Sequence, residues 1–210
     1  MTIIYSTPSD AHRRLMEIGV PIEPVIHAVR AGYDGRGLCT PNDPPFIPGT
    51  EAWRYVVRTL RDGLLPLGWR KADPGNYSIV SSDERTINIV VASADKFVQS
   101  LGTNPRTRSL KGLYTEAAIA RNSVTYDLFP ETIPENIRVA AASLEYPTWI
   151  LMIYITDEEF RAELSFPAEI EEKMIVSWKE RIFIPNDETI VIEENVEDDS
   201  DFDIPVRRRA

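Results

Sequence analysis

The sequence predicts an α+β fold: a helical N-terminal part, a three-stranded antiparallel meander, then a second, mostly antiparallel sheet with one or two helices. Three observations predict it. Apolar residues recur at helical spacing as far as Leu64, β-branched and alternating runs take over from Trp69, and nothing repeats at a fixed period.

Thr7-Pro8-Ser9-Asp10 is a helix start, with a hydroxyl at the cap, proline in the first turn and an acid near the positive end of the helix dipole. This helix runs to Ile18, and Gly19 can stop it. Residues 24–30 read as a second short helix closed by Gly32. Residues 32–49 hold four glycines and four prolines, a density that predicts a long irregular strap. Thr50 is placed to cap the clearest helix, 51–64, which carries Trp53, Val56, Val57 and Leu60 on one face. Residues 69–71, a turn at Asp73-Pro74-Gly75-Asn76 and residues 77–80 make a hairpin, and 86–92 add the third strand of the meander. A polar loop, 103–112, then leads into a short helix, 114–122.

Pro130 and Pro134 mark a boundary between a first lobe, 1–130, and a second, 136–192, with or without a shared core. In the second lobe, residues 149–155 are apolar on both faces, as a central strand requires. Residues 160–166 alternate, Phe160, Ala162, Leu164 and Phe166 facing one way and Arg161, Glu163 and Ser165 the other, which reads as a half-buried partner strand. Residues 168–179 read as helix, and 181–184 and 189–192 as two more strands. Residues 193–210 form an acidic tail expected to be disordered.

The 210 residues carry a net charge of −10. The last 24, from Asp187, contribute −6 (nine acids, three arginines), and seven of the eleven residues 193–203 are acidic. Such a run repels itself and stays solvated. Residues 93–122 run the other way, with five cations against two acids. Overall acidity disfavours nonspecific nucleic-acid binding outside the 103–112 loop, because phosphate neutralisation supplies most of that affinity. No apolar run is long enough to span a bilayer, so no membrane partner is expected. The first residues lack the basic flank and apolar core of a secretory signal. A single cysteine, Cys39, makes no internal disulfide, which fits the cytoplasm.

Five constellations bear on chemistry. His12 and His27 are the only histidines, and no Cys/His pair has zinc-ligand spacing. Cys39 with His27 is either a thiolate and its base or, more simply, an inert cysteine in a proline-rich strap. Gly32-Tyr33-Asp34-Gly35-Arg36-Gly37 follows a helix where a phosphate loop requires a strand, so turn chemistry explains it better. In the 103–112 loop, Arg106, Arg108 and Lys111 precede a helix N-terminus, a combination suited to an anion such as phosphate; the alternative is a polar surface connection. A metal-dependent, nuclease-like enzyme on a phosphate-containing substrate would use Mg held by Asp157 or Glu163, with Glu171-Glu172-Lys173 as an acid-x-lysine element. Glu163 opposite a basic neighbour on a sheet face is the simpler account of that residue.

Two segments resemble docking peptides. Thr125-Tyr126-Asp127-Leu128-Phe129 resembles the bacterial sliding-clamp-binding pentapeptide, whose leucine and aromatic side chains fill an apolar pocket. Asp127, Leu128 and Phe129 match, while Thr125 and Tyr126 stand where a glutamine and an aliphatic residue are expected. The alternative is that Leu128 and Phe129 pack a linker onto the core. Asp198-Asp199-Ser200-Asp201-Phe202-Asp203-Ile204-Pro205 is similar to the acidic tip of bacterial single-stranded-DNA-binding proteins, which recruits partners through apolar residues beside acids. The resemblance ends at Val206-Arg207-Arg208-Arg209-Ala210 and carries no fold with it.

The expectation is therefore a non-enzymatic interaction protein of the bacterial or phage cytoplasm, linked to DNA metabolism or acting as an acidic inhibitor of a nucleic-acid-binding partner. Its expected contacts are Leu128, Phe129, Phe202, Asp203 and Ile204. No resident cofactor is expected unless the magnesium alternative holds.

Overall fold

The Thr7 hydroxyl accepts the Asp10 amide at 3.2 Å, and the helix it caps, α1 (Pro8–Glu17), ends before Gly19 at φ +70°. A computed structural model describes residues 2–123 and 128–186. In chain order it contains β1 (Ile3–Tyr5), α1, α2 (Ile22–Gly37), α3 (Ile47–Leu64), β2 (Arg70–Ala72), β3 (Ile79–Ser82), β4 (Ile87–Ser93), α4 (Leu113–Arg121), α5 (Glu135–Ala142), β5 (Thr148–Ile155), β6 (Phe160–Glu171) and β7 (Met174–Ile184). The α+β class holds. The two groups of strands are halves of one seven-stranded mixed sheet, in the order β1-β7-β6-β5-β4-β3-β2. They join where β4 pairs in parallel with β5, Asn88 opposite Thr148 through Ser93 opposite Ile153. A parallel pair needs a long crossover, and residues 94–147, with α4 and α5, supply it.

Successive residues of a strand face opposite ways, so the sheet has two cores. On one face α1, α2 and α3 pack Leu15, Val25, Val29, Val56 and Leu60 onto Ile89, Leu151, Leu164 and Ile182. On the other, α4 and α5 pack Ala117, Ala118, Ala141 and Leu144 onto Val90, Ile150, Met152 and Trp178. Among the described residues no helix is long and apolar enough to cross a membrane.

Several expectations need correction. The second helix does not stop at Gly32; α2 continues to Gly37. A Cβ on Gly32 would lie 2.3 Å from Val56 Cγ2 and 2.9 Å from the Ala52 carbonyl, and one on Gly35 would lie 2.2 Å from the Tyr55 ring. These glycines are the notch into which α3 packs, and that contact overrides their poor helix propensity. The irregular strap therefore shrinks to residues 38–46. Thr50 is not a cap: α3 begins at Ile47 with Pro48 in its first turn, and the Thr50 hydroxyl donates back to the Phe46 carbonyl at 3.0 Å.

Residues 168–179 are not helical. They belong to the long β6–β7 hairpin, closed by Glu172 and Lys173 at φ +47° and +62°. Two left-handed residues between paired strands form the turn whose twist matches a hairpin. Pro167 sits at a register shift, where a missing N–H is tolerated. Strand 160–166 is buried on both faces from Ala162 to Ser165 instead of half-buried. The sequence reading missed β1, which adds to β7 in parallel, and α5. The expected strand 189–192 and the tail 193–210 lie outside the described residues.

Candidate functional site

The 103–112 segment folds back along the end of β4. The Arg108 amide donates to the Ser93 carbonyl (2.9 Å), Thr107 bridges Ala94, and the Asp95 amide donates to the Arg106 carbonyl (2.9 Å). Extended backbone alternates its side chains, so Pro105 and Thr107 are buried while Arg106 and Arg108 are exposed. Neither guanidinium has a partner among the described residues. The chain then turns, and the Lys111 amide donates to the Lys173 carbonyl of the β6–β7 turn at 2.8 Å. Lys111 is half-buried, and burial lowers the pKa of its ammonium. The three cations do not converge: two face solvent, and the third lines a cavity.

That cavity, about 220 Å³, occupies a notch in the sheet. The last β3–β4 pair is Ile79 opposite Val90. Beyond it β4 lacks its neighbour on that side, and the Val91 carbonyl accepts the Trp53 indole N–H of α3 at 3.1 Å. Trp53, Tyr77, Val91 and Ile150 supply the apolar wall, and Lys111 and Thr115 are polar lining residues. The Tyr77 ring stacks on Tyr114 at a 6.1 Å centroid distance. Its hydroxyl is buried with no hydrogen-bond partner. Desolvation pushes this phenol well above its ordinary pKa; the neighbouring Thr115 hydroxyl counters the shift but does not reach it in hydrogen-bonding geometry.

The carboxylates of the magnesium alternative lie far apart. Glu163 is fully buried in the middle of β6 and accepts four donors: Arg181 Nε (2.8 Å) and Nη2 (2.7 Å), the Ser165 hydroxyl (2.8 Å) and the Gln99 amide (2.8 Å). This is the basic neighbour expected of a sheet-face glutamate, in a bidentate pair that leaves the carboxylate saturated. Asp157 lies in the β5–β6 turn, with its Oδ1 2.9 Å from Arg36 Nε. Glu171 and Lys173 are exposed at the far end of the hairpin, eight residues along β6 from Glu163, roughly 25 Å at the rise of a strand. Among the described residues no three His, Cys, Asp or Glu side chains cluster with metal-binding spacing.

Cys39 and His27 are not brought together either. His27 is exposed within α2, and Cys39 lies beyond its end. Desolvation and the nearby Asp43 raise the Cys39 thiol pKa, which disfavours the thiolate.

Leu128 and Phe129 do not pack onto the core. They are 62% and 55% exposed, and Val139 of α5 is 65% exposed. The Phe129 carbonyl accepts both the amide (3.1 Å) and the hydroxyl (2.8 Å) of Thr132, which fixes the turn that follows. The rest of the clamp-like pentapeptide, 125–127, and the tail residues Phe202, Asp203 and Ile204 lie outside the described residues. The cavity was invisible in the sequence. Tyr77 reads only as the first residue of a strand, and Trp53 only as a position on an apolar helix face.

Comparison of the chain with protein-family models, with curated proteins and with solved structures returns no match.

Proposed function

We propose that the protein acts by binding a protein partner, without running a reaction of its own, and that this partner presents a basic or nucleic-acid-binding surface in a bacterial or phage cytoplasm. The observation that carries the reading is the exposure of adjacent Leu128 and Phe129, where a linker pair would ordinarily bury itself. Their match to the clamp-binding pentapeptide and the −6 charge of the last 24 residues support it. An apolar anchor beside an acidic segment suits a partner that combines a pocket with cations. The acids then speed encounter, and the apolar pair slows dissociation. Occupying such a surface would inhibit DNA binding by the partner.

Pull-down from a bacterial lysate tests this with three proteins: the full chain, a chain ending at Asn186, and the full chain carrying Leu128→Ala and Phe129→Ala. Partners should be lost from both altered proteins, and the tail-dependent ones should weaken with added salt. Identical partner sets from all three would overturn the proposal. The magnesium-dependent enzyme is the less supported reading, because Arg181, Ser165 and Gln99 occupy the acceptor positions of Glu163 that a metal would need.

A further inference from the structure

We propose that the notch beside β4 is a binding site for a small organic monoanion: a carboxylate on a compact apolar body, with Lys111 as counterion and the Tyr77 hydroxyl as hydrogen-bond donor. The inference stands apart from partner binding, since Leu128 and Phe129 are not among the lining residues.

Four observations converge on it. The first is charge. Among the described residues, Lys111 is the only cation lining the cavity, and no acidic side chain lines it with Lys111. Among the described residues the ammonium makes a marginal contact, 3.5 Å to the Ser109 hydroxyl. Burial already lowers its pKa, so an anion beside it would regain the stabilisation that water no longer gives. The second is the Tyr77 hydroxyl, a buried donor with nothing to donate to. Buried polar groups are nearly always paired, and an exception calls for an explanation. The hydroxyl is closed off from the cavity itself, so a carboxylate oxygen supplies the missing acceptor once the Tyr77 or Thr115 side chain shifts to admit it.

The third is the wall. Trp53 commits its indole N–H to the Val91 carbonyl, so toward a ligand the ring offers apolar surface, continued by Val91 and Ile150. The fourth is size. A volume of about 220 Å³ corresponds to about seven water molecules, enough for a benzoate-sized acid and below the range of drug-sized ligands.

The approach to the notch is also positive. Trp53 and Ser78 are shared with a neighbouring groove of about 330 Å³ whose charged lining is Arg54, Arg58, Arg61 and Lys71 against Asp62. Glu51 engages Arg54, Asp62 engages Arg58 and Asp73 engages Arg61, which leaves one net positive charge, that of Lys71, on the rim. One lysine with neutral hydroxyls matches a single negative charge. A phosphate dianion would need a second cation inside the notch, and Arg106 and Arg108 are exposed and not among its lining residues.

Calorimetry and thermal-shift measurements on the full chain test the assignment with benzoate, the neutral isostere benzamide and inorganic phosphate. Benzoate should bind saturably at millimolar concentration and raise the melting temperature, while benzamide and phosphate should not. Lys111→Met should weaken benzoate binding about tenfold or more, and Tyr77→Phe a few-fold, with Arg108→Ala unchanged. Lys111→Gln reads the same loss if the methionine variant does not fold. Equal responses to benzoate and benzamide, a response to phosphate alone, no saturable benzoate binding, or full benzoate affinity in the Lys111 variants would each overturn the proposal.

Discussion

The two faces of the sheet are closed by different physics. Under α1, α2 and α3 the contact is mainly apolar, Leu15, Val56 and Leu60 meeting Leu151, Leu164 and Ile182, with polar contacts such as Arg14 to Glu180 and Trp53 to the Val91 carbonyl at its margins. Under α4, α5 and the 94–112 segment, buried polar groups share the work. Arg181 spans from Glu163 to the Ser100 carbonyl at 2.9 Å, and Gln99 donates through its side-chain amide to the carbonyls of Ala162 and Ile184. Asn122 donates to the Thr148 carbonyl and accepts the Thr148 amide, and Asn88 donates to the carbonyls of Leu144 and Tyr146. The Trp178 indole N–H donates to the Pro105 carbonyl. Apolar contact is nondirectional and tolerates sliding, whereas each hydrogen bond fixes one register. The second face thereby holds an irregular crossover in place, and with it the turn that carries Lys111 to its notch.

The largest expected effect breaks the polar face at its centre. Glu163→Ala leaves Arg181 charged, buried and unpaired, and should cost about 3–5 kcal/mol in urea denaturation. Replacing both residues together, Glu163→Leu with Arg181→Met, should recover much of that loss, because the charge is removed with its partner. A double variant as unstable as the single one would mean that the pair does more than neutralise itself.

Asn122→Ala should cost about 1–3 kcal/mol, since it orphans both backbone groups of Thr148 at the start of β5. The apolar face has a comparable weak point. Gly32→Val drives a side chain into Val56 and the Ala52 carbonyl and should cost about 1–3 kcal/mol or more. Gly37→Ala, with open space around its Cβ, should be neutral or stabilise by up to about 1 kcal/mol. Equal effects at the two glycines would sink the notch explanation.

Smaller effects sharpen the contrast at the surface. Arg108→Ala should change stability by less than about 0.5 kcal/mol, because its segment is held by backbone bonds and its side chain is exposed. Cys39, its thiol raised by desolvation, should react with iodoacetamide near neutral pH more slowly than free cysteine, and the rate should climb only as pH passes above the ordinary thiol range.

The apolar face was the legible one. The caps and stops at Thr7 and Gly19, the spacing of Val56 and Leu60 and the doubly apolar run of β5 all follow from neighbours within four residues, and the α+β class follows from them. Thr50 misleads for a local reason, since Pro48 starts α3 earlier, whereas Gly32 and residues 168–179 turn on partners distant in the chain. Gly32 looks like a stop until α3 fills its notch, and residues 168–179 look helical because Glu171, Glu172, Lys173 and Met174 are good helix formers. Pairing of β6 with β7 overrides that preference.

For the candidate residues the division is sharper still. Composition and spacing by themselves determined that Arg106, Arg108 and Lys111 share a basic loop before a helix, and that Glu163 alternates with apolar neighbours. Only the tertiary structure decided that Lys111 turns inward, through the carbonyl of Lys173, and that Arg181 saturates Glu163. The reason is physical: helix and strand periodicity is set by covalent neighbours a few residues away, whereas the fate of a buried charge is set by whichever group the packed chain brings within about 3 Å.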